Sequence, residues 1–223
     1  MEKLTSKLFL RLKKEKAKNK FLLFLDNQKI ISDALSSGNI KPIVLISSSD
    51  EILEKFKNFA DFSQKNQNFD DILANFEKNP NFLPCAYKCD ASQIDALCDI
   101  VTSQKVVLVA QFSNNAKPKM QDNFLVLDGL QDAGNVGTLI RTAKASGFSE
   151  VYLLESVHKT NPKVIRSSVG AVFSSNVFEM SRHDFIDLFN SCGRETHLLK
   201  TDMAGESIFK FNCSGVVGVV ISN

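Results

Sequence analysis

Asn135, Gly137 and Arg141 stand in the pattern Asn-x-Gly-x-x-x-Arg, and the run Arg166-Ser167-Ser168-Val169-Gly170-Ala171 follows downstream. An arginine in such a setting suits anion chemistry, because its planar fork of N–H groups matches a phosphate or carboxylate with two parallel hydrogen bonds. Residues 125–147 read LVLDGLQDAGNVGTLIRTAKASG. This predicts an apolar strand, a glycine-bearing turn and a helix beginning at Asn135, whose side chain can cap the free N–H groups of the first turn. Gly147 sits where a left-handed residue would stop the helix. Val136, Leu139, Ile140 and Ala143 recur at helical spacing and predict a stripe packed on a sheet. Helical side chains lean toward the N-terminus, which places Arg141 over the turn of Gly137, where no side chain obstructs it. The positive end of the helix disfavours a lone cation there by a few tenths to about 1 kcal/mol, and a bound anion reverses that sign. A phosphate or carboxylate ligand is therefore expected at this helix start; an arginine that simply reaches water is the alternative.

The two segments together resemble a known family. Asn135-x-Gly137-x-x-x-Arg141, followed by Asn161-Pro162-Lys163-Val164-Ile165-Arg166-Ser167-Ser168-Val169-Gly170-Ala171, is similar to the first signature and the adjoining R-x-S-x-G-A segment of the SpoU (TrmH-like) branch of the SPOUT RNA methyltransferases. Each motif alone is weak, and their order and separation make the pair fairly specific. Residues 4–47 resemble the substrate-binding domain of that family, which is itself similar to an RNA-binding ribosomal protein. Where members often carry Glu-Gly after the first strand this chain has Asp26-Asn27, which leaves the turn geometry open.

The resemblance implies transfer of a methyl group from S-adenosylmethionine to a ribose 2′-hydroxyl of tRNA or rRNA. It implies Arg141 and Asn135 as the catalytic pair. A guanidinium keeps its proton in proteins and is a poor base, so Arg141 is expected to grip the 3′ phosphate and stabilise a forming alkoxide. Asn135 is expected to orient the ribose or Arg141, with helix capping as the alternative. Gly137, Arg166 and Ser168 are expected at the RNA, and Leu199, Lys200, Thr201 and Asn223 at the cofactor. The family is dimeric, which implies a homodimer.

Charge placed along the chain adds a second RNA candidate. The formal net charge is +2 overall, yet residues 1–20 carry eight basic and two acidic residues, about +6, leaving about −4 elsewhere. Lys3, Lys7, Arg11 and Lys14 fall on one helical face and Leu4, Leu8 and Leu12 on another. Lys7, Arg11 and Lys14 are expected to neutralise RNA phosphates, with a salt-dependent affinity; a merely solvated face is the alternative. The arm is rich in lysine and retains Glu2 and Glu15, which argues against a transit peptide.

Five cysteines, Cys85, Cys89, Cys98, Cys192 and Cys213, include no C-x-x-C and no nearby histidine pair. Neither a disulfide framework nor a zinc site is expected, and reduced thiols in a cytoplasm are the default. No apolar run is long enough to cross a bilayer. A soluble cytoplasmic protein with no membrane partner and no metal is the expectation.

These residues need a scaffold, and the hydrophobic patterning predicts an α/β fold in two units. Residues 1–113 read as a layered α/β substrate-binding domain, with helices near 3–18, 27–37, 50–60 and 91–101 and strands near 21–25, 41–47 and 106–109. The polar stretch 111–123, with Pro118, reads as the boundary. Residues 122–223 read as a SpoU-type domain with a largely parallel sheet and helices on both faces. Its strands are expected at 124–128, 151–154, 196–200 and 216–222, its helices at 135–146, 162–168 and 183–190, and a short extended piece near 172–178. No G-x-G-x-x-G or G-x-x-x-x-G-K-[ST] follows Asp128, so a dinucleotide or nucleoside-triphosphate enzyme is poorly supported. Residues 216–222 read as a buried parallel strand, and the chain stops at Asn223, where the family continues into a cofactor loop and a trefoil knot. The domain is therefore expected to be truncated before the knot, with weak cofactor binding and weak or absent activity; a non-catalytic RNA-binding protein is the alternative.

Overall fold

Leucines spaced four apart in the basic arm fall on one side of a helix, and the computed structural model buries Leu4, Leu8 and Leu12 while Lys7 and Lys14 stay exposed. The helix, α1 (Ser6–Lys18), is capped by Thr5, whose hydroxyl accepts from the Leu8 N–H. The structure describes residues 3–57, 69–78, 83–98, 104–113, 116–193, 195–210, 212 and 214–222. The chain divides into two units, Met1–Asn114 and Asn115–Asn223.

In the first unit α1 is followed by β1 (Leu23–Leu25), α2 (Gln28–Ser36), β2 (Ile40–Ser47), α3 (Asp50–Lys57), α4 (Phe69–Lys78), β3 (Cys85–Lys88), α5 (Ala91–Asp95) and β4 (Val106–Phe112). The sheet order is β1-β4-β2-β3, with β4 antiparallel to β1 and β2 and with β3 parallel to β2. Alternate strand residues point to opposite faces. Val44, Ile46, Val107 and Val109 join the α1 leucines, Ile72 and Tyr87 in one core cluster. Asn27 settles the open turn: its φ is −120°, and its side chain accepts from the Ile30 N–H at 3.0 Å, so it caps α2 without needing the freedom of a glycine. The helix expected over 91–101 ends at Asp95; residues 99–103 lie outside the described residues.

The second unit runs β5 (Phe124–Asp128), α6 (Ala133–Ala145), β6 (Glu150–Leu154), α7 (Pro162–Ser167), a 3-10 turn (Ala171–Phe173), β7 (Asn176–Met180), α8 (Arg182–Ser191), β8 (Thr196–Lys200), a second 3-10 turn (Ile208–Lys210) and β9 (Val216–Ser222). All five strands are parallel, in the order β7-β6-β5-β9-β8. One face carries an aromatic cluster: the Tyr152 ring lies 5.5 Å from Phe124 and 5.3 Å from Phe185 of α8, both edge-on. On the other face Leu125, Leu127, Val151 and Leu153 are buried, and α6 packs on β5. The strand expected to be buried, β9, lies between β5 and β8, but only Gly218 is buried and its other side chains are half-covered. A Cβ at Gly218 would lie 2.4 Å from the Phe124 ring, so a glycine is required there for the aromatic cluster to close.

Where the chain enters this unit, the buried Glu150 carboxylate accepts from the backbone N–H groups of Lys119 at 2.9 Å and Met120 at 2.8 Å, and from the Tyr152 hydroxyl at 2.5 Å. Three donors satisfy a carboxylate removed from water. Burial, reinforced by the neighbouring Glu150, pushes the Tyr152 hydroxyl well above the usual tyrosine range.

Candidate functional site

The parallel strands deliver their carboxyl ends to one edge, and the loops there are laced together by short-range polar contacts. Gly129 follows β5 in a left-handed conformation, φ +71°, with its N–H on the Leu154 carbonyl at 2.9 Å. Ser156 accepts from the Leu130 N–H and donates toward the Leu127 and Leu154 carbonyls. Arg182, the first residue of α8, holds Asp128 at 2.7 Å through Nε and contacts Glu155 through a terminal nitrogen, tying the ends of β5 and β6 to the start of α8. Its two acidic partners raise the Arg182 pKa, Asp128 foremost.

The helix carrying the motif starts two residues earlier than its sequence pattern implies. Asp132, not Asn135, is the N-cap: its carboxylate accepts from the Asn135 N–H at 2.8 Å, and Lys163 of α7 sits 3.1 Å from its other oxygen. These bonds, the backbone one first, hold the Asp132 carboxyl below its ordinary range. The anion expected as a ligand at this helix start is therefore supplied by the chain itself. The helix stop is as expected, with Gly147 left-handed at φ +78°.

Gly137 is not the open floor beneath Arg141. It is buried against α7, and a Cβ there would lie 2.0 Å from the Ser167 Oγ, 2.6 Å from the Val164 carbonyl oxygen and 2.8 Å from the Ser168 nitrogen. Its missing side chain lets two helices touch, so a direct role at RNA is set aside. Ser168, expected at phosphate, is fully buried and donates to the Ile165 carbonyl at 3.0 Å. Its hydroxyl closes the end of α7. Arg166, at the last turn of α7, is half-buried.

Asn135 and Arg141 are both exposed, and neither side chain has a hydrogen-bond or ion-pair partner among the described residues. With α6 starting at Ala133, Arg141 sits eight residues along, about 12 Å down the axis at 1.5 Å per residue, further from the helix start than the sequence pattern implies. The pair lies on the solvent side of the helix whose inner side is filled by Val136, Ile140 and Ala143.

Of the arm residues, Lys7 and Lys14 are exposed, whereas Arg11 pairs with Glu15 at 3.2 Å on the next turn. At β8 the three cofactor candidates adjoin in sequence, and Asn223 lies outside the described residues. Leu199 is half-buried, and the exposed Lys200 Nζ lies 3.8 Å from Asp202. Thr201 directs both its N–H, at 2.9 Å, and its hydroxyl, at 3.2 Å, to the Val220 carbonyl. Among the described residues no cluster of metal ligands occurs, and no helix is long and apolar enough to cross a membrane.

The SpoU rRNA Methylase family model matches residues 122–222. The chain is 28% identical over 165 residues to the mitochondrial rRNA methyltransferase 3A of Danio rerio, covering 70% of this chain and 33% of that protein. It is 25% identical over 182 residues to the 23S rRNA (guanosine(2553)-2'-O)-methyltransferase RlmP of Bacillus subtilis, covering 80% of this chain and 62% of that one. The chain thus spans about a third of the length of the vertebrate relative. In fold it is similar to a putative RNA methyltransferase of the TrmH family from Porphyromonas gingivalis, with a TM-score of 0.74, 18% identity and coverage of 98% of this chain and 81% of that one. An AdoMet-bound rRNA methyltransferase from Sinorhizobium meliloti matches with a TM-score of 0.72 and 20% identity over 99% of this chain and 79% of that one. The arginine-bearing helix on its all-parallel sheet lies within residues 122–222, the stretch of this chain that is similar to the SpoU rRNA Methylase family.

Proposed function

We propose that the chain transfers a methyl group from S-adenosylmethionine to a ribose 2′-hydroxyl of ribosomal or transfer RNA. The observation that carries this reading is the exposed Arg141, without a side-chain partner among the described residues, with Asn135 on the same helix, inside the stretch that is similar to the SpoU family. A guanidinium with no such partner is available to hold a phosphate bidentately, which fixes the adjacent ribose for in-line attack. As the hydroxyl oxygen takes the methyl group from the donor, which leaves as a neutral thioether, its proton passes to solvent water, and the Arg141 charge stabilises the oxygen while negative charge builds on it. Asn135, freed from capping by Asp132, offers an amide that both donates and accepts toward the ribose. Lys7 and Lys14 supply phosphate contacts on the first unit, and Arg166 a further cation beside the motif helix.

S-adenosylmethionine, when bound, supplies an electrophilic methyl group on a sulfonium. The chemistry at the carboxyl end of β8 fits such a molecule: Lys200 suits its carboxylate, and the half-buried Leu199 suits apolar surface. Exposed Leu198, Met203, Ile208 and Phe209 also favour a homodimer, which light scattering on the purified chain tests.

The experiment for the activity is incubation with ribosomal RNA and a methyl-tritiated donor, then digestion to nucleosides. Label in a 2′-O-methyl nucleoside supports the proposal. RNA binding without incorporation, at saturating donor and with the full natural protein, overturns it in favour of a non-catalytic RNA-binding protein.

A further inference from the structure

The first unit carries a groove that the reading above does not use. Gln28, Lys29, Ser32 and Asp33 of α2, Ile52 and Lys55 of α3, and Gln104 and Lys105 ahead of β4 line it, a shallow depression of about 820 Å³ that is open to solvent. Its parts are held in place. The Gln104 side-chain oxygen accepts from the Gln28 N–H at 2.7 Å, and the Lys55 Nζ donates to the Gln28 side-chain oxygen at 3.3 Å.

Lys105 is held in a left-handed conformation, φ +59°, that residues other than glycine, asparagine and aspartate rarely adopt. The fully buried Ser47 fixes it, donating its hydroxyl to the Lys105 carbonyl at 2.5 Å, and the Ser48 N–H reaches the same oxygen at 3.2 Å. A strained residue clamped by a buried hydroxyl is a mark of a functional position. The effect is to fix a third lysine at the wall that Lys29 and Lys55 also form. Amide and hydroxyl groups from Gln28, Gln104 and Ser32 stand between the cations, with Asp33 as the one carboxylate among the lining side chains.

We propose that this groove binds one unpaired nucleotide of the RNA substrate, its phosphates held by Lys29, Lys55 and Lys105 and its base edge by Gln28, Gln104 and Ser32. The inference rests on the RNA reading above. Its volume admits a nucleotide, and the mixture of donors and acceptors suits a base edge, which a paired base would keep inside its helix.

The test uses the full chain and a fluorescein-labelled ribosomal RNA stem-loop, titrated by anisotropy across a range of KCl concentrations. The comparison is with K29E/K55E and with Lys105→Asn, which keeps a residue tolerant of the left-handed backbone while removing the charge. Unchanged melting temperatures establish that the variants are folded. The combined triple variant is expected to flatten the slope of log affinity against log salt by about 2 units, in line with three lost phosphate contacts. A perfectly paired duplex is expected to compete less well than the stem-loop. A triple variant with the wild-type slope overturns the groove and leaves the methyltransferase reading standing, as does equal competition by the duplex. Absence of RNA binding by the wild type overturns both.

Discussion

Gly137 and Ser167 sit so close that a single methyl group on the glycine would lie 2.0 Å from the serine oxygen. That serine donates toward the carbonyls of Ala133, Lys163 and Val164, so its hydroxyl stitches the first turn of α6 to α7. The glycine of the signature is thus a packing requirement, and through it the lysine of α7 reaches the cap of α6.

Gly137→Ala is expected to destabilise the protein despite a better helix former at that position. The propensity gain is about 1 kcal/mol, and overpacking costs about 1–3 kcal/mol. Rotation of Ser167 cannot relieve the contact, because the Val164 carbonyl oxygen would still lie 2.6 Å away. A lowered midpoint in denaturant, only partly restored by Ser167→Ala, is the expected result, and an unchanged midpoint would refute the packing role.

Arg141→Ala is expected to leave the melting temperature unchanged, since no partner among the described residues is lost, while methyl transfer falls by about 10²–10³ in kcat. Arg141→Lys should recover only part of the rate, because an ammonium keeps the charge and loses the fork. Single-turnover methylation assays read both, and wild-type rates in Arg141→Ala would remove this residue from the chemistry.

Glu150→Gln is expected to cost about 1.5–3 kcal/mol, the range for a hydrogen bond to a charged group, since an amide nitrogen would now face N–H donors. Faster proteolysis between residues 113 and 121 should accompany it. Limited trypsin digestion, cutting at Lys117 or Lys119, measures the effect.

Asp132 gives a pH dependence of definite sign. Its folded-state pKa lies below the ordinary 3.8, so the capping contribution is present above that value and is lost as pH falls through the lower folded one. Protection of the Asn135 amide hydrogen, measured as its exchange rate relative to the intrinsic rate at the same pH, should therefore fall in acid. Asp132→Asn, which caps without a charge, should remove most of that dependence, whereas Asp132→Ala should expose the amide at every pH.

Much of the second unit was legible because its strands are strongly apolar and bounded by turn residues: the sequence pattern places strands at 124–128, 196–200 and 216–222, where β5, β8 and β9 lie. The start of α6 was not, because Asp132 and Asn135 are both good caps and only the position of Lys163 distinguishes them. Strand β3 has no local signature, because Cys85-Ala86-Tyr87-Lys88 is short and takes its order from pairing with β2. The inward turn of Gly137 and Ser168 depends on where α7 docks, a long-range fact that a local pattern does not carry. Arg182 had no local signal either, for its carboxylate partners come from the ends of β5 and β6.

The grip of Glu150 on Lys119 and Met120 also bears on where this unit can be cut free. The family match opens at residue 122, yet Met120 is fully buried and two of the carboxylate's three donors lie ahead of that point. A fragment begun at 122 would carry an orphaned acceptor and a hole the size of a methionine, so excision has to start upstream of Lys119 for the piece to stand by itself.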